Sequence, residues 1–314
     1  MAKNKDRKIG ILGVPIGYGA GMTGSELGVS AMRLSRVRGK TLREHIEHLG
    51  YEVTDHGDVT ITHPAVPNAT GNPRHLAEML TSSEAVIGGL DSVLAAGEIP
   101  VILGGDHCIA IPTYSAIASY TKRTNDQEVG LIWFDAHADI NTPETSPSGN
   151  IHGMPLAVIL GHGHPELVNI GGYSPKLNPA FFAHIGLRDA DDGEREMIRK
   201  LGLRDHFFTM SDIDNRGMTA CVSDAIEIAS KAPGGFAVTF DVDCIDPTFA
   251  PGSGTLVRGG LTYREAHLAL EMIAEAGGLI SFEIVEVNPL LYQSNITVEL
   301  ACELILSALG KTIL

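Results

Sequence analysis

The sequence lacks a disulfide pattern, a long apolar run and any excess of basic residues. Its four cysteines, Cys108, Cys221, Cys244 and Cys302, are far apart and form no Cys-x-x-Cys motif. Free thiols in a reduced, cytoplasmic compartment are therefore predicted rather than disulfides. No charge-poor stretch reaches the roughly 18 apolar residues that a membrane span needs. The basic start MAKNKDRK is followed by a run at 9–16 that is too short and too glycine-broken for a convincing signal peptide.

The charge balance excludes some classes of partner. The chain has 23 Lys and Arg against 38 Asp and Glu, a formal net charge of −15. Nucleic acid or an anionic membrane would be repelled over most of such a surface, so neither is an expected partner. The charge fits a soluble enzyme and modestly favours a cationic substrate.

Length and composition favour one large α/β domain. The chain has 314 residues, of which 44% are hydrophobic, enough for a sizeable core. Its 36 glycines lie mostly beside predicted strand ends and motifs, as in a fold with tight connections. No linker, repeat or charge block marks a boundary, so residues 1–314 are predicted to form a single domain.

Short apolar runs alternate with longer amphipathic stretches along the chain. The apolar runs predict eight strands: Lys8–Val14, Glu52–Asp55, Pro100–Leu103, Val129–Phe134, Phe182–Ile185, His206–Thr209, Phe236–Phe240 and Leu279–Val285. The amphipathic stretches predict eight helices: Ser25–Arg38, Thr41–Leu49, Pro73–Ala96, Ile111–Thr121, Gly193–Leu201, Met218–Ala232, Tyr263–Ala276 and Thr297–Leu309. This alternation indicates a three-layer α/β/α fold with a mainly parallel central sheet.

Acidic residues and histidines gather where three predicted strands end. The segment WFDAHAD at 133–139 places three potential metal ligands at alternate positions, which point the same way in an extended chain: Asp135, His137 and Asp139. Two other strand exits carry the same residue types: Asp106 with His107, and Asp241 with Asp243. Ligands bind outside the carboxyl ends of the strands in such sheets, so we expect these side chains to meet at one edge.

The ligand set suits a pair of divalent cations. Apart from Asp106, these residues are two histidines and four carboxylates, too many for one zinc ion, which usually takes four ligands and prefers nitrogen or sulfur. Oxygen-rich coordination favours Mn²⁺ or Mg²⁺, and the two imidazoles favour Mn²⁺. Two metals about 3.5–4 Å apart can ionise a shared water, so metal-assisted hydrolysis is predicted.

Longer motifs around these ligands give the chain a resemblance to a known family. They are GGDHCIA at 104–110, DAHADINTPETSPSGNIHGMP at 135–155, IGLRDADDGE at 185–194, FDVDCIDPTFAPGSGT at 240–255, GGLTYRE at 259–265 and EVNP at 286–289. The chain resembles the ureohydrolase family of arginases and agmatinases over nearly its whole length, and is most similar to the arginases. The resemblance implies an arginase-like α/β domain, two Mn²⁺ ions per subunit, and hydrolysis of a guanidino compound to urea and an amine. It also implies a homotrimer or a homohexamer.

The resemblance assigns roles to individual residues. One metal is expected on His107, Asp135, Asp139 and Asp241, and the other on Asp135, His137, Asp241 and Asp243. A metal-bridging hydroxide would attack the guanidinium carbon, and Asp139 would hold that hydroxide and relay its proton to the leaving amine. His152 resembles the family's proton shuttle. Glu286 would grip the guanidinium, with the hydroxyl of Thr255 nearby.

The expected substrate is L-arginine, with L-ornithine and urea as products. In the resemblance, neutral donors of one loop serve the α-carboxylate, with Ser146 acting through water: Asn141, Ser146, Ser148 and Asn150. Asp191 and Glu194 match positions that receive the α-ammonium. Agmatinases generally lack the Ser-Gly-Asn loop, so the loop favours arginine.

Two departures from the arginase pattern keep alternatives open. Cys244 stands where many arginases have glycine, and Leu256 replaces the proline that usually follows the threonine. Both lie beside expected ligands and could alter loop rigidity or metal affinity. The alternatives are an agmatinase or another guanidino-acid ureohydrolase, and a catalytically silent metal-binding paralogue.

Overall fold

An eight-stranded sheet lies at the centre of the molecule. The computed structural model describes residues 7–66, 70–292 and 294–312. The strands are β1 (Lys8–Val14), β2 (Glu52–Asp58), β3 (Glu98–Gly104), β4 (Gly130–Phe134), β5 (Phe182–Ile185), β6 (Phe207–Phe208), β7 (Phe236–Asp241) and β8 (Leu279–Val285). They lie in the order β2-β1-β3-β8-β7-β4-β5-β6, and every neighbouring pair is parallel. The expected parallel sheet is confirmed.

Helices cover both faces of this sheet. They are α1 (Glu26–Leu34), α2 (Leu42–His48), α3 (Leu76–Ala95), α4 (Ala110–Asn125), α5 (Pro155–Ile159), α6 (Pro165–Val168), α7 (Asp192–Lys200), α8 (Met210–Arg216), α9 (Met218–Ala229), α10 (Tyr263–Ala276) and α11 (Ile296–Ala308). Buried apolar residues form one core with α1, α2 and α8–α11, and a second with α3–α7. The three-layer prediction is therefore confirmed. None of the described helices is long and apolar enough to cross a lipid bilayer.

The central strands are apolar on both sides because both sides are covered. All five residues of β4 are buried. Phe134 stacks on Phe240 at 4.9 Å in one core, whereas Trp133 points into the other. This two-sided burial explains why the strands have near-continuous apolar sequences rather than alternating ones.

Helix ends differ from the predictions where the backbone leaves the helical region. The first helix was expected to reach Arg38, but it ends at Leu34 because Ser35 is extended with ψ 142°. The helix expected from Pro73 begins at Leu76, because His75 is left-handed with φ 55°. The short helices α5, α6 and α8 were not predicted, since four to seven residues give little periodic signal.

The strand order creates a crevice above the middle of the sheet. The chain leaves β4 towards β5 and β6 but leaves the neighbouring β7 towards β8, so the connections diverge between β4 and β7. Ligands bind at such points, outside the carboxyl ends of the strands. The four strands around this point, β3, β8, β7 and β4, all end beside the crevice.

Candidate metal and substrate site

Four adjacent strands deliver the expected ligands to one place. His107 follows β3, Glu286 follows β8, Asp241 ends β7, and Asp135 follows β4. The carboxyl ends of neighbouring parallel strands lie side by side, so residues far apart in sequence meet there. The structure brings together all six residues expected to bind metal: His107, Asp135, His137, Asp139, Asp241 and Asp243.

One half of this metal cluster surrounds His107. Its Nδ1 lies near three carboxylate oxygens: Asp135 Oδ2 at 3.0 Å, Asp139 Oδ2 at 3.2 Å and Asp241 Oδ2 at 3.3 Å. All four residues are buried. Three of these residues present atoms within one sphere that a metal ion could occupy: His107, Asp135 and Asp139.

The other half of the cluster surrounds His137. Its Nδ1 lies 3.4 Å from Asp135 Oδ1 and 3.2 Å from Asp243 Oδ2, and this trio could hold a second ion. Asp135 therefore contributes one oxygen to each half. Asp241 links the halves through its Oδ1, which accepts a hydrogen bond from the Asp243 N–H at 2.7 Å. The His137 side chain is 24% exposed, so this half faces the crevice.

The hydrogen bonds of His107 leave one ring nitrogen free for a cation. Thr239 Oγ1 lies 3.0 Å from His107 Nε2 and donates its own proton to Glu283 Oε1 at 2.8 Å. A hydroxyl has one proton, so Thr239 accepts from His107 and the ring proton sits on Nε2. In the neutral ring, Nδ1 then presents its lone pair to the centre of the cluster, and it has no hydrogen-bond partner among the described residues. A lone pair among anionic oxygens fits a metal ligand.

The ionisation of the cluster also fits a cation site. Burial raises the pKa of Asp139 to about 7, and the charge of Asp135 adds to this shift. Burial and the charges of Asp243 and Asp135 hold the pKa of Asp241 well above its usual range. Burial would lower the pKa of His107, but the carboxylates outweigh it and raise that pKa. Divalent cations would relieve this repulsion, displacing protons as they bind.

His152 and Glu286 lie beside the cluster. Glu286 Oε1 lies 3.3 Å from His152 Nδ1 and accepts a hydrogen bond from the His107 backbone N–H at 3.0 Å. Burial would lower the pKa of His152, but the contact with Glu286 outweighs it and raises the pKa to about 9. Asp139 and Glu286 both adopt left-handed backbone, with φ 50° and 62°. Non-glycine residues rarely adopt that conformation, and it is common at functional sites.

The donor loop, residues 141–150, begins two residues after Asp139. The Ser146 hydroxyl oxygen accepts from the Gly149 N–H at 3.0 Å, and that of Ser148 accepts from the Asn150 N–H at 3.2 Å. Neither serine donates its own hydroxyl proton to any described residue, so both remain available to an anion. Gly149 has φ 73°, and a Cβ there would lie 2.7 Å from the Gly71 carbonyl oxygen, so the turn requires glycine.

The expected ammonium-binding acids lie at the start of α7. Asp191 and Glu194 form a capping box, in which each side chain accepts from the other's backbone N–H at 2.9 and 3.0 Å. Asn141 Nδ2 donates to Asp191 Oδ2 at 2.8 Å, so the loop and the helix are joined. Burial and the charge of Asp139 raise the pKa of Glu194 to about 8. One expected carboxylate-binding amide and both acids therefore form a single group near the cluster.

Thr255 and Arg188 fix the segment that carries Asp243. Thr255 Oγ1 donates to Asp243 Oδ2 at 2.8 Å, so its hydroxyl contacts a metal-cluster carboxylate rather than Glu286. The Arg188 guanidinium donates to the carbonyl oxygens of Asp243 at 2.6 Å and Val257 at 2.7 Å. Arg188 was not predicted as a site residue, although it lies in the quoted IGLRDADDGE motif.

The two departures occupy different environments. Cys244 is fully buried in a hydrophobic core, and its carbonyl oxygen accepts from Arg188 at 3.1 Å. Leu256 is 42% exposed next to Thr255. Neither side chain belongs to the cluster, so both departures leave the donor set intact.

Asp106 holds backbone in place instead of joining the cluster. Its Oδ2 accepts from the N–H groups of Gly19 at 2.8 Å and Ala20 at 3.1 Å. Beside it, a Cβ on Gly105 would lie 1.8 Å from the Ile16 carbonyl oxygen. The exits of β1 and β3 therefore pack in direct contact, which fixes the backbone before His107.

Two further supporting residues were missed in the sequence. Trp133 Nε1 donates to Asp135 Oδ2 at 3.0 Å. His184 Nε2 lies 2.7 Å from the His137 carbonyl oxygen, and burial lowers the pKa of His184 to about 4, so the neutral ring donates there. Trp133 could have been found, because it lies two positions before Asp135 in an extended segment. His184 could not, since its role depends on the pairing of β5 with β4.

The fold and the site together define a metal-binding α/β protein suited to hydrolysis. A model of the Arginase family matches residues 7–310. The chain belongs to this family.

Similar proteins cover nearly the whole length of the chain. It is 42% identical to an arginase of Brevibacillus brevis and 43% identical to one of Bacillus caldovelox, each over 98% of this chain and 100% of the relative. The solved structure of the Bacillus caldovelox arginase has a TM-score of 0.89 and the same coverage. The structure of an Entamoeba histolytica arginase in complex with L-ornithine is 29% identical, with a TM-score of 0.85 over 98% of this chain and all of that one.

Proposed function

We propose that this chain hydrolyses the guanidino group of L-arginine, giving L-ornithine and urea. The observation that carries the proposal is that Asn141 of the donor loop is hydrogen-bonded to Asp191, while Glu194 is close enough to Asp139 for that charge to raise its pKa. Loop donors and acids in that position are complementary to an α-carboxylate and an α-ammonium. The relatives named arginase at 42–43% identity, and the related arginase that holds L-ornithine, support the same substrate.

The proposed cofactor is a pair of Mn²⁺ ions in each subunit. One would be held by His107, Asp135, Asp139 and Asp241, and the other by Asp135, His137, Asp241 and Asp243. The oxygen-rich donors with two imidazoles suit Mn²⁺. When bound, such a pair supplies an ionised water as the nucleophile at neutral pH.

The remaining residues of the site bind the substrate and move protons. Glu286 is the carboxylate that would hold the planar guanidinium, through charge-assisted hydrogen bonds that fix its carbon in the crevice. Asp139 would accept a proton from the nucleophile and pass it to the leaving amine. His152, next to Glu286, would exchange protons between this site and solvent. Water adds to the guanidinium carbon and the C–N bond to the amine breaks, so the products are urea and the protonated amine.

The donor loop and the start of α7 would bind the amino-acid end of the substrate. Ser148 and Asn150 would donate directly to the α-carboxylate together with Asn141, while Ser146 would act through water. Asp191 and Glu194 would receive the α-ammonium. Thr255 would keep Asp243 oriented.

We also propose that residues 1–314 act as one domain that assembles into a homotrimer or homohexamer in the cytoplasm. The single sheet and the family match over 7–310 support one domain. The four cysteines are all free and buried, which supports a reducing compartment. Cross-linking with mass photometry would distinguish three subunits from six.

Urea release after Mn²⁺ loading tests the proposal. L-arginine, agmatine and guanidinobutyrate are compared on one preparation whose metal content is measured by elemental analysis. We expect kcat/KM for arginine to exceed that for agmatine by about 10²-fold or more, because agmatine leaves the carboxylate donors unpaired. A higher value for agmatine would favour an agmatinase. No urea from any substrate with both metals bound would indicate a catalytically silent metal-binding protein.

A further inference from the structure

A row of four side chains crosses the sheet directly beneath the metal cluster. Backbone pairing aligns His184 of β5 with Trp133 of β4, Trp133 with Thr239 of β7, and Thr239 with Glu283 of β8. Residues in register on parallel strands lie on the same face. We call these four residues the supporting row. Three of them contact residues of the cluster, and only Glu283 does not.

Glu283 is an unusual residue for its position. It is 3% exposed and lies on a central strand between apolar neighbours. Its Oε1 accepts the Thr239 hydroxyl, whereas its Oε2 is buried with no hydrogen-bond partner in the described part of the chain. The nearby Thr113 hydroxyl donates instead to the Ile109 carbonyl oxygen at 2.9 Å. The Thr113 side chain is close enough to stabilise the ionised carboxyl, but a buried acid with an unsatisfied oxygen is still costly, so its contact with Thr239 calls for a physical explanation.

The contact between Glu283 and Thr239 determines how Thr239 can bind His107. The Thr239 hydroxyl has one proton, and giving it to Glu283 leaves only lone pairs for His107 Nε2. When the ring is neutral, as it is when it binds a cation, Nε2 must carry the ring proton and Nδ1 keeps the lone pair that faces the cluster. Oε1 accepts from Thr239 when Glu283 is ionised, and also when a neutral Glu283 carries its proton on Oε2. The direction of the relay therefore depends on an acceptor oxygen of residue 283 that faces Thr239.

We propose that Glu283 is a positioning residue for His107, acting through Thr239 to fix the imidazole tautomer that can bind a cation. The inference rests on the metal centre of the proposed function but not on its substrate. Glu283 would then influence metal affinity without contacting the metal, from a position inside the core that packs against α4. Thr239 and His107 lie between Glu283 and the metal. Outer partners of metal-binding histidines commonly contribute about 10–100-fold to metal affinity or activity.

Two matched pairs of variants of the full chain test the relay. Glu283→Met removes the acceptor and Glu283→Gln keeps one, while Thr239→Val removes the hydroxyl and Thr239→Ser keeps it. Glu283 borders a narrow cavity of about 10 Å³, so side chains of similar size should fit. Mn²⁺ binding is measured by equilibrium dialysis and elemental analysis. Thermal unfolding of each metal-free protein checks its fold.

The expected result is selective loss at one of the two ions. Glu283→Met and Thr239→Val should weaken one Mn²⁺ by roughly 10–100-fold, while Glu283→Gln and Thr239→Ser stay within about threefold of the parent. Unchanged Mn²⁺ affinity in Thr239→Val and Glu283→Met would overturn the inference. Equal losses of Mn²⁺ affinity in Glu283→Met and Glu283→Gln would also overturn the inference, because the carboxylate charge rather than an acceptor would then be required.

The outcome separates this inference from the proposed function. Metal affinity is measured without substrate, so the test of the relay remains valid even if the protein prefers agmatine to arginine. Conversely, the parent protein could release urea from arginine while all four variants bind Mn²⁺ normally. That result would support the proposed function and contradict the role of Glu283.

Discussion

The metal cluster and the donor loop hold their side chains in place by different means. Cluster residues leave the ends of paired strands, and side chains of neighbouring strands hold them, as Trp133 holds Asp135. The donor loop instead folds on its own backbone, with Ser146 and Ser148 accepting from N–H groups two or three residues ahead. Asp135 is 1% exposed, whereas Ser148 is exposed. Under the proposed function, the sheet would fix the groups that carry out the reaction, while a loop that can vary independently would determine the substrate.

The strongest test of this division is to remove the residue shared by both halves of the cluster. Asp135→Ala should lose bound metal and lower kcat/KM for arginine by more than about 10³-fold, because groups that act as a unit fail together. Elemental analysis and urea release measure both effects. The exposed Glu144→Gln, in the donor loop, is the control and should keep its metal. Full metal content in Asp135→Ala would show that the cluster does not depend on a shared carboxylate.

Next in size is a change beside the cluster that leaves its ligands untouched. His152→Asn should slow turnover by about 10²–10⁴-fold, since an amide cannot exchange a proton at neutral pH, while both metals remain bound. Single-turnover kinetics and elemental analysis on the same sample check it. Loss of metal from this variant would mean that His152 supports the cluster and is not a shuttle.

A smaller effect is expected in the donor loop. Ser148→Ala should raise KM for arginine by roughly 10- to 150-fold, because a hydrogen bond to a charged group contributes roughly 1.5–3 kcal/mol. Agmatine lacks the carboxylate, so its kcat/KM should not change. Equal losses for both substrates would show that the loop supports the cluster after all, and the contrast between the two regions would fail.

The smallest effect is expected where the loop region meets the cluster, at Glu194. Its pKa is about 8 in the folded chain against an ordinary 4.5, so the folded state holds the proton more tightly. The stability from Glu194 is complete below pH 4.5 and is lost as pH rises through about 8. Glu194→Gln keeps the capping box but cannot ionise. Between pH 5 and 8, the Tm of the metal-free variant should therefore fall less than that of the parent protein. The difference should be roughly 2–4 °C for each kcal/mol of unfolding free energy that the variant does not lose.

The parent protein supplies the reference for that measurement. Both proteins are melted without metal across the same pH range. Parallel curves for parent and Glu194→Gln would show that Glu194 does not carry a raised pKa.

Much of the sheet and of the cluster could be predicted from sequence. The strands at Lys8–Val14, Phe182–Ile185 and Leu279–Val285 have the expected bounds, because buried parallel strands are short apolar runs between glycines and helices. The ligands at 135–139 could be recognised because alternation along an extended segment is a local property. Their meeting at one edge follows from a general rule for parallel sheets.

What could not be predicted depends on the strand order. Nothing local in the sequence aligns Glu283 with Thr239, because β7 and β8 are separated by a whole helix and pair only in the folded sheet. The same holds for His184 beneath His137. The hydrogen bond from Thr255 to Asp243 could not be predicted either, because it depends on how residues 250–260 fold back, and the expected place of Thr255 near the guanidinium stays a prediction.

The supporting row has a consequence for the fate of the protein when metal is scarce. Its members belong to β5, β4, β7 and β8, so we expect that removal of the proposed ions would loosen contacts in the middle of the sheet and not in a peripheral segment. Amide hydrogen exchange in these strands should accelerate on chelation, although they lie deep in the molecule. Cellular abundance of the chain would then follow manganese supply, because a core that opens more often is degraded more often.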